Sequence, residues 1–405
     1  MIPYGKHHVD SDDIDAVVDV LENHFLTQGT KVPEFEQALC DYTGAKYCTA
    51  VNSATSGLHV ACLAAGVEAG DLVWSTPNSF VASANCALYC NAKVDFIDMD
   101  PATRNIDIEK LAKRVNAAKR DNALPKAIIV VHFAGFSCDM QRISRLLKDT
   151  DVVLIEDAAH GLGGSYHGKK IGSCEFSDMS VLSFHPVKSI TTAEGGAVMT
   201  NSAELAERLV LFAKHGVTRN QDLFEGSPEA LLQQGPWYYQ QLTLGYNYRL
   251  SDMQAALGIS QLKKLDGFVA ARQKCADFYF EKLKGLPVVL PIDEKQTTTT
   301  NEKGNQSGWH LFMIELLDDE NCENAEAISA KRKHVFEQLQ LKGIGVNVHY
   351  IPIHLHPYYQ SLGFKAGDYP CAERFYNRAI TLPLYPSLTE QEQQKVVDTL
   401  TEILQ

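Results

Sequence analysis

The amino-acid sequence predicts an α/β protein, with a large domain built on a mainly parallel sheet followed by a smaller α+β domain. Short apolar runs of strand length alternate with helical patterns between residues 47 and 200. Such alternation is typical of a parallel sheet that is covered by helices on both faces. The chain has 405 residues, which exceeds the usual size of one domain. We place the large domain at residues 1–262 and the small domain at residues 263–405.

Composition and charge narrow the class of protein. Hydrophobic residues make up 45% of the chain and charged residues 21%, as in ordinary globular proteins. The net charge is -13, and the sequence lacks the basic stripe that nucleic acid binding needs, so we expect no nucleic acid partner. No segment reaches the roughly 18 apolar residues that span a membrane, and the N-terminus lacks a signal-peptide core. We therefore expect a cytoplasmic protein without membrane contact.

The elements can be assigned in chain order. Residues 12–24 predict a helix, because apolar residues recur there at helical spacing. A long helical pattern runs from about Leu250 into the 280s. The predicted strands of the large domain are 47–51, 72–76, 94–97, 127–133, 152–155 and 179–184.

Ligands of a parallel sheet bind beyond the carboxyl ends of its strands, and three stretches at predicted strand ends carry unusual residues. The first is NSATSGLH, residues 52–59, which lies between a strand and a helix. Free backbone N–H groups at a helix start, with the hydroxyls of Thr55 and Ser56, make a cradle for a phosphate group. The same residues also form a plain helix N-cap, and this stretch alone leaves both interpretations open.

The second stretch, VVLIEDAAHGLGG, contains Asp157 at the end of an apolar strand. An unpaired carboxylate at such a place is unfavourable, so Asp157 should face a cation. That cation is either a basic side chain in a salt bridge or the protonated ring nitrogen of a ligand.

The third stretch, VLSFHPVKSITTAEGGAVMTN at residues 181–201, places Lys188 where a buried strand leaves the core. A lysine in a partly desolvated pocket has a lowered pKa and can form a Schiff base. The alternative is an ordinary solvated lysine on a surface loop. Gly195 and Gly196 permit close backbone approach, and Ser183 is a further candidate phosphate ligand.

Pyridoxal 5′-phosphate (PLP) is a cofactor that needs a phosphate cradle, a carboxylate for its pyridinium nitrogen and a Schiff-base lysine together. Each of the three stretches supplies one of these features. The sequence therefore predicts a PLP site at the carboxyl edge of the sheet.

Four stretches resemble the signature segments of the DegT/DnrJ/EryC1/StrS sugar aminotransferases: NSATSGLH, EDAAHGLGG, SFHPVKSITTAEGGAVMTN and GYNYRLSDMQAALGISQL. They occur in the family's order, and the likeness extends over nearly the whole chain. The resemblance implies fold type I of the PLP-dependent transferases. This aspartate-aminotransferase-like fold has a large domain with a mixed, mostly parallel sheet and a smaller α+β C-terminal domain.

The resemblance also implies roles for individual residues at the cofactor. Lys188 would hold the cofactor and move the proton between the substrate and cofactor carbons, and Asp157 would keep the pyridine nitrogen protonated. His160 matches the position that contacts the phenolic oxygen, where many relatives carry Gln. Phe80 matches the aromatic residue that stacks on the ring, although a core phenylalanine explains it equally well. The implied phosphate ligands are Thr55, Ser56 and Ser183.

Asn247, in GYNYRL, matches a residue that reaches the phosphate from the partner subunit, so the resemblance implies a homodimer with shared active sites. The alternative is that Asn247 caps its own helix. The resemblance further implies that the N-terminal segment, the LTQG loop and the VHYIP stretch contact a nucleotide sugar. The implied contact residues are Tyr4, Leu26, Thr27, Gln28, Gly29, Val348, His349, Tyr350 and Ile351.

Histidines and cysteines give little sign of a metal. His349, His354 and His356 match no standard ligand spacing and have no carboxylate among them, so we expect no metal site. The ten cysteines include no CxxC pair, which favours reduced thiols that pack as small hydrophobic side chains.

Within the family, the lysine segment, LTQG and VHYIPIHLHPYY most resemble the subgroup that acts in pseudaminic acid biosynthesis. The resemblance implies amino transfer from L-glutamate to the C4 ketone of a UDP-4-keto-6-deoxy-N-acetylhexosamine. One alternative is a 4-aminotransferase for another nucleotide sugar, of perosamine or bacillosamine type. A pyridoxamine-dependent sugar dehydratase would have a histidine in place of Lys188. A non-catalytic regulatory or binding protein of the same fold should have lost a cofactor contact, whereas this sequence retains them.

Overall fold

The computed structural model describes residues 1–226, 235–293, 304–317 and 325–405. The helices in these ranges are α1 (Ser11–Asn23), α2 (Lys31–Thr43), α3 (Ala54–Ala64), α4 (Ala82–Tyr89), α5 (Ile108–Asp121), α6 (Met140–Leu147), α7 (Ala203–Ala213), α8 (Asp252–Leu262), α9 (Leu265–Lys282), α10 (Ala325–Leu341), α11 (Pro357–Ser361), α12 (Pro370–Arg378) and α13 (Glu390–Leu404). The strands are β1 (Tyr47–Val51), β2 (Leu72–Ser75), β3 (Lys93–Phe96), β4 (Ala127–Val131), β5 (Val153–Asp157), β6 (Ser165–Tyr166), β7 (Lys169–Lys170), β8 (Met179–Ser183), β9 (Gly196–Thr200), β10 (Val217–Thr218), β11 (Gln240–Gln241), β12 (Val288–Val289), β13 (Phe312–Leu316) and β14 (Ala379–Leu382).

A seven-stranded sheet with the order β1-β9-β8-β5-β4-β2-β3 forms the large domain. β9 runs antiparallel to both of its neighbours, whereas the pairs β2/β3, β2/β4, β4/β5 and β5/β8 are parallel. The mainly parallel sheet that the sequence predicts is therefore confirmed, and all six predicted strands are present. Because the parallel strands point the same way, their carboxyl ends meet at one edge.

The structure corrects the predicted elements at three places. The predicted strand 127–133 ends at Val131, because the chain enters a 3₁₀ turn in which Ala134 has a φ of 59°. The antiparallel strand β9 was not predicted. The single helical pattern that begins near Leu250 is two helices, α8 and α9, which are separated at Lys263 and Lys264.

Helices cover both faces of the sheet, which explains why its central strands are almost entirely buried. All five residues of β8 are buried. Val181 packs in the same core as Leu58 of α3, and the next residue, Leu182, packs on the other face with Phe35 of α2. Successive side chains of a strand point to opposite faces, so a strand that is covered on both faces has no solvent-exposed side.

The small domain has its own core, formed by the sheet β12-β13-β14, the helices α10 and α13, and the second half of α9. Ile2 belongs to this core, and its backbone pairs with the segment at Ile344. In α9, Leu265 packs in the large domain and Tyr279 packs in the small domain. This one helix therefore joins the two cores. The domain boundary at residues 262 and 263 stays a prediction.

Helix α1 confirms the predicted helical spacing but leaves much of its apolar face uncovered. Ile14 is 56% exposed, Val18 40% and Leu21 55%. Phe25, just after the helix, is also exposed. Among the described helices, none combines the length and the apolar composition needed to cross a membrane.

Candidate active site

A cavity of about 740 Å³ lies at the carboxyl edge of the sheet. It brings together residues from three predicted strand ends, from the N-terminal segment and from the small domain. The predicted site residues that line it are Tyr4, Thr55, Phe80, Asp157, His160, Ser183, Lys188, Val348, His349, Tyr350 and Ile351.

Lys188 lies in this cavity, five residues beyond the end of β8. Burial lowers the pKa of its ammonium group to about 8, although the nearby Asp157 carboxylate partly opposes that shift. Its Nζ lies 3.5 Å from Nε2 of His310. The solvated-lysine interpretation does not describe this side chain, because Lys188 is only partly exposed and lines the cavity.

Asp157 ends β5 as a buried carboxylate whose two oxygens are both held in place. The Ser83 hydroxyl donates to Oδ2 at 2.6 Å, and the Ala159 backbone N–H donates to Oδ1 at 3.1 Å. Ser83 Oγ also lies 2.7 Å from Ser79 Oγ. Since Ser83 donates its proton to Asp157, it accepts from Ser79. No salt bridge to Asp157 forms within the described ranges, so the structure does not support the salt-bridge alternative there.

The start of α3 and the end of β8 form the hydroxyl-lined part of the cavity. Ser53 caps α3 by accepting from the backbone N–H of Ser56. The stretch is therefore an N-cap, and its role as a phosphate cradle stays a prediction. The first N–H groups of a helix have no partner within the helix, and those of Ala54 and Thr55 lie at the cavity wall. A Cβ on Gly196 would lie 2.6 Å from the Ala54 backbone nitrogen. Glycine is therefore required where β9 meets the helix start.

His160 is buried and both of its ring nitrogens are engaged. The Ala134 backbone N–H donates to Nδ1 at 3.2 Å, which leaves the ring proton on Nε2, 3.1 Å from the Tyr350 hydroxyl oxygen. Burial, with a smaller contribution from Lys188, lowers the pKa of His160 well below its usual value. The imidazole is therefore neutral. Its predicted contact to a cofactor oxygen stays a prediction.

Phe80 is 58% exposed and lines the cavity. Its ring centroid lies 6.3 Å from that of Tyr350. A core side chain would be buried, so the structure does not support the alternative interpretation of Phe80. An exposed aromatic face in a cavity can stack on a flat ligand.

Several predicted residues lie outside the cavity lining. Ser56 Oγ donates to Asn52 Oδ1 at 2.7 Å and is used within its own turn. Gly29, at the end of the LTQG loop (residues 26–29), donates its backbone N–H to the Asp252 carboxylate of α8 at 2.9 Å. Asn247 is exposed, and its backbone pairs with Lys214. The roles predicted for these residues stay predictions.

The sequence did not single out several residues that the structure brings to the site. His310 comes from the segment before β13, and Ser83 comes from α4. Other residues in the lining are Ser53, Ser79, His185, Glu194 and Asn347. Contacts between distant segments leave no local pattern in the sequence. For His310 the sequence offered one weak signal, its place in the run GWH (residues 308–310) just before an apolar strand.

The other histidines of the VHYIP region have separate partners. His349 Nδ1 lies 2.8 Å from Thr381 Oγ1, and burial lowers its pKa to about 3. His354 Nε2 lies 2.9 Å from Glu373 Oε1. Within the described ranges, no group of three or more His, Cys, Asp and Glu side chains has an arrangement that could hold a metal ion.

Three features define the class of this protein. They are the order of the strands, the one antiparallel strand in the sheet, and a carboxylate and a lysine at or beyond the ends of the neighbouring strands β5 and β8. That class is the fold type I PLP-dependent transferases.

The sequence profile of the DegT/DnrJ/EryC1/StrS aminotransferase family matches residues 7–401, and the chain belongs to this family. It is 39% identical over 410 residues to the UDP-4-amino-4,6-dideoxy-N-acetyl-beta-L-altrosamine transaminase of Campylobacter jejuni subsp. jejuni serotype O:23/36 (strain 81-176), covering 100% of this chain and 98% of that protein.

Solved structures of related proteins have the same fold over the full length of this chain. PseC of Helicobacter pylori, an aminotransferase involved in the biosynthesis of pseudoaminic acid, has a TM-score of 0.84 at 30% identity and covers 100% of this chain and 99% of its own. The sugar aminotransferase Spr1654 of Streptococcus pneumoniae was solved in its PMP (pyridoxamine phosphate) form. It has a TM-score of 0.85 at 27% identity and covers 100% of this chain and 99% of its own. The chain is therefore an enzyme of the aminotransferase class.

Proposed function

We propose that this enzyme binds PLP on Lys188 and transfers an amino group from L-glutamate to C4 of a nucleotide sugar. The sugar is a UDP-4-keto-6-deoxy-N-acetylhexosamine, UDP-2-acetamido-2,6-dideoxy-β-L-arabino-hex-4-ulose, and the pathway is pseudaminic acid biosynthesis. The observation that carries the proposal is that Lys188, Asp157 and the hydroxyl-lined start of α3 share one cavity. Full-length similarity to transaminases of this pathway supports the choice of sugar. The cytoplasm stays the predicted location.

The residues of the cavity fit the cofactor. The unpaired N–H groups at the start of α3, with the hydroxyls of Thr55 and Ser183, suit a phosphate dianion. Both oxygens of Asp157 are oriented by protein donors, so the carboxylate suits a protonated ring nitrogen. The exposed face of Phe80 suits the flat ring.

PLP supplies, when bound, an electron sink that acidifies the carbon attached to the amino nitrogen. Lys188 then takes the proton from one carbon and returns it to another, which needs its uncharged amine. A pKa of about 8 leaves roughly a tenth of the amine uncharged at pH 7, whereas an ordinary lysine leaves under a thousandth. Asp157 stabilises positive charge at the ring nitrogen while the proton moves.

Reduction with borohydride tests the attachment. We expect the purified holoenzyme to lose its absorbance above 400 nm on reduction, and peptide mapping to find the reduced cofactor on the peptide that contains Lys188. Lys188→Ala is the matched control and should give no labelled peptide. A label on a different lysine, or a protein that binds no PLP, would refute the assignment.

The sugar and the donor need a separate experiment. The enzyme is incubated with L-glutamate or L-glutamine and a panel of UDP- and dTDP-linked 4-ketosugars, and products are identified by mass spectrometry and NMR. We expect the UDP-linked N-acetylated 4-ketosugar with glutamate to give the highest kcat/KM. Faster conversion of a perosamine- or bacillosamine-type precursor would replace the proposed substrate.

We also propose a homodimer whose active sites are completed by Asn247 of the partner subunit. Two features of the chain support this. The apolar residues Ile14, Val18 and Leu21 of α1 are exposed in the single chain, as expected of a surface that a second chain covers. Asn247 is exposed rather than turned into its own cavity, so its side chain is accessible to a neighbouring subunit.

A further inference from the structure

His310 is a buried histidine beside Lys188 that comes from a different domain. Its backbone is fixed on both sides, because its N–H donates to the Ala134 carbonyl at 3.0 Å and its carbonyl accepts from Arg272 at 3.3 Å. The residue is 4% exposed, and the centroid of its ring lies 4.4 Å from that of the His160 ring. The imidazole is therefore held in a fixed place before any ligand binds.

Lys188 is the polar partner of this ring. Nε2 of His310 lies 3.5 Å from Lys188 Nζ, and Nδ1 has no hydrogen-bond partner among the described residues. Catalytic hydrogen bonds are often long in ligand-free enzymes and shorten in the reacting complex. Burial, with smaller contributions from Lys188 and His160, lowers the pKa of His310 well below its usual value, so the ring is neutral.

A neutral imidazole suits both protonation states of a lysine that takes up and releases a proton. Through Nε2 it accepts from an ammonium group, and in the other tautomer the same nitrogen donates to the lone pair of the free amine. The other two buried imidazoles that line the cavity, those of His160 and His349, lack this freedom. His160 is engaged at both nitrogens, and His349 lies against Thr381 and Asn347.

We propose that His310 is a positioning residue for Lys188, which holds the amine through Nε2 and directs it towards the reacting carbon in each proton transfer. The inference rests on the proposed function, because it assigns a partner to the proton carrier of that reaction. His310 itself does not exchange the substrate proton.

The test compares His310→Leu, which fills the space without a polar group, with His310→Gln, whose amide can reach the position of Nε2. In the cofactor-free proteins, competitive acetylation at a series of pH values, read by mass spectrometry of the Lys188 peptide, gives the pKa of that amine. We expect the Leu variant to titrate about one pH unit below the wild type, because the charge-assisted hydrogen bond to the ammonium group is stronger than the neutral bond to the free amine, so that its loss disfavours the charged form. The Gln variant should titrate close to the wild type.

The same proteins, loaded with PLP, are then mixed with L-glutamate in single-turnover experiments. We expect His310→Leu to slow the half-reaction roughly 100-fold, the size of effect that misplacing a reacting group produces. The Kd for glutamate should change little, and His310→Gln should recover most of the rate. His354→Gln, which replaces a buried histidine that pairs with Glu373, is the control and should leave both measurements unchanged.

Two results would overturn the inference. One is a Lys188 titration in the Leu variant that matches the wild type, and the other is a half-reaction rate that the Leu substitution does not change. Failure of the proposed function looks different. In that case wild-type enzyme gives no half-reaction with glutamate, while the titration of cofactor-free protein still decides whether His310 contacts Lys188.

Discussion

Lys188 shows, at the scale of one residue, how a functional group opposes stability. Burial lowers the pKa of the folded-state amine from 10.5 to about 8. Between these two pH values the unfolded chain binds more protons than the folded chain, so the stability of the fold rises with pH across that window. Below about pH 8 the full penalty for burying the charged amine is present, and above pH 10.5 it is gone.

Removal of the amine should therefore stabilise the cofactor-free protein. For Lys188→Met we expect the free energy of unfolding at pH 7 to increase by up to about 3 kcal/mol, since one pKa unit corresponds to about 1.4 kcal/mol. Urea denaturation at pH 7 and pH 9.5 measures the difference in free energy of unfolding between the variant and the wild type, and this difference should be smaller at pH 9.5. Lys284→Met, at an exposed lysine, is the control and should change stability little. A Met variant less stable than wild type at pH 7 would contradict this account.

The site residues that the sequence revealed are those out of place in their local pattern. A carboxylate at the end of an apolar strand and a lysine beside a glycine turn both stand out, so Asp157 and Lys188 could be predicted. Ser83 and His310 could not, because a serine on a helix and a histidine before a strand are ordinary. Their contacts join positions 74 and 122 residues apart, and no local spacing encodes such distances.

At the scale of elements, the predictable parts are those whose pattern is set locally. The sequence AIIVV of β4 is buried on both faces, and such a run is typical of a central parallel strand. β9 was missed because it follows a Gly-Gly turn and reverses direction, and only its pairing with β1 and β8 defines it. The break between α8 and α9 leaves the apolar spacing nearly intact, so the sequence predicts one continuous helix.

The LTQG loop depends on a single carboxylate from α8. Asp252 is fully buried and accepts from the backbone N–H groups of Gly29 and Lys31, each at 2.9 Å. A hydrogen bond to a charged group contributes about 1.5–3 kcal/mol, and losing the carboxylate leaves these partly buried N–H groups without their acceptor. The loop is therefore positioned by α8, whichever ligand it contacts.

Asp252→Ala should lower the free energy of unfolding by about 1.5–3 kcal/mol, because the partly buried N–H groups of Gly29 and Lys31 lose a charged acceptor. Chemical denaturation measures the loss, and Asp151→Ala, at an exposed aspartate, should change stability by under about 0.5 kcal/mol. If the loop also contacts the nucleotide sugar, KM for the sugar should rise while the half-reaction with glutamate is unchanged. Stability equal to the wild type would show that the loop does not depend on Asp252.

At the scale of the whole molecule, the cavity belongs to both domains. Lys188 and Asp157 come from the large sheet, whereas His310 and Tyr350 come from the part of the chain that builds the small domain. Helix α9 packs into both cores and fixes one domain against the other. The exposed apolar face of α1 supports the proposed homodimer.

Mixed dimers test the proposed sharing of active sites. Hybrids of a Lys188→Ala chain with an Asn247→Ala chain should recover about half the wild-type activity, because both lesions then fall in one site and the other site is intact. If Asn247 served its own chain, every site would carry one lesion. Hybrids no more active than the parent variants would therefore rule out the shared arrangement, and a monomeric protein in light scattering would rule out the dimer itself.

The pairing of the N-terminal segment with the small domain has a consequence for synthesis. The backbone of Ile2 bonds to Gly343 and Gly345, and the carbonyl of Tyr4 accepts from Leu384. These partners are made about 340 residues later or more, which at 5–20 residues per second corresponds to roughly 17–70 s or longer on the ribosome. Throughout that interval the backbone groups of Ile2 and Tyr4 lack these partners. The nascent chain can assemble its sheet early, but this wall of the active site can form only late in translation.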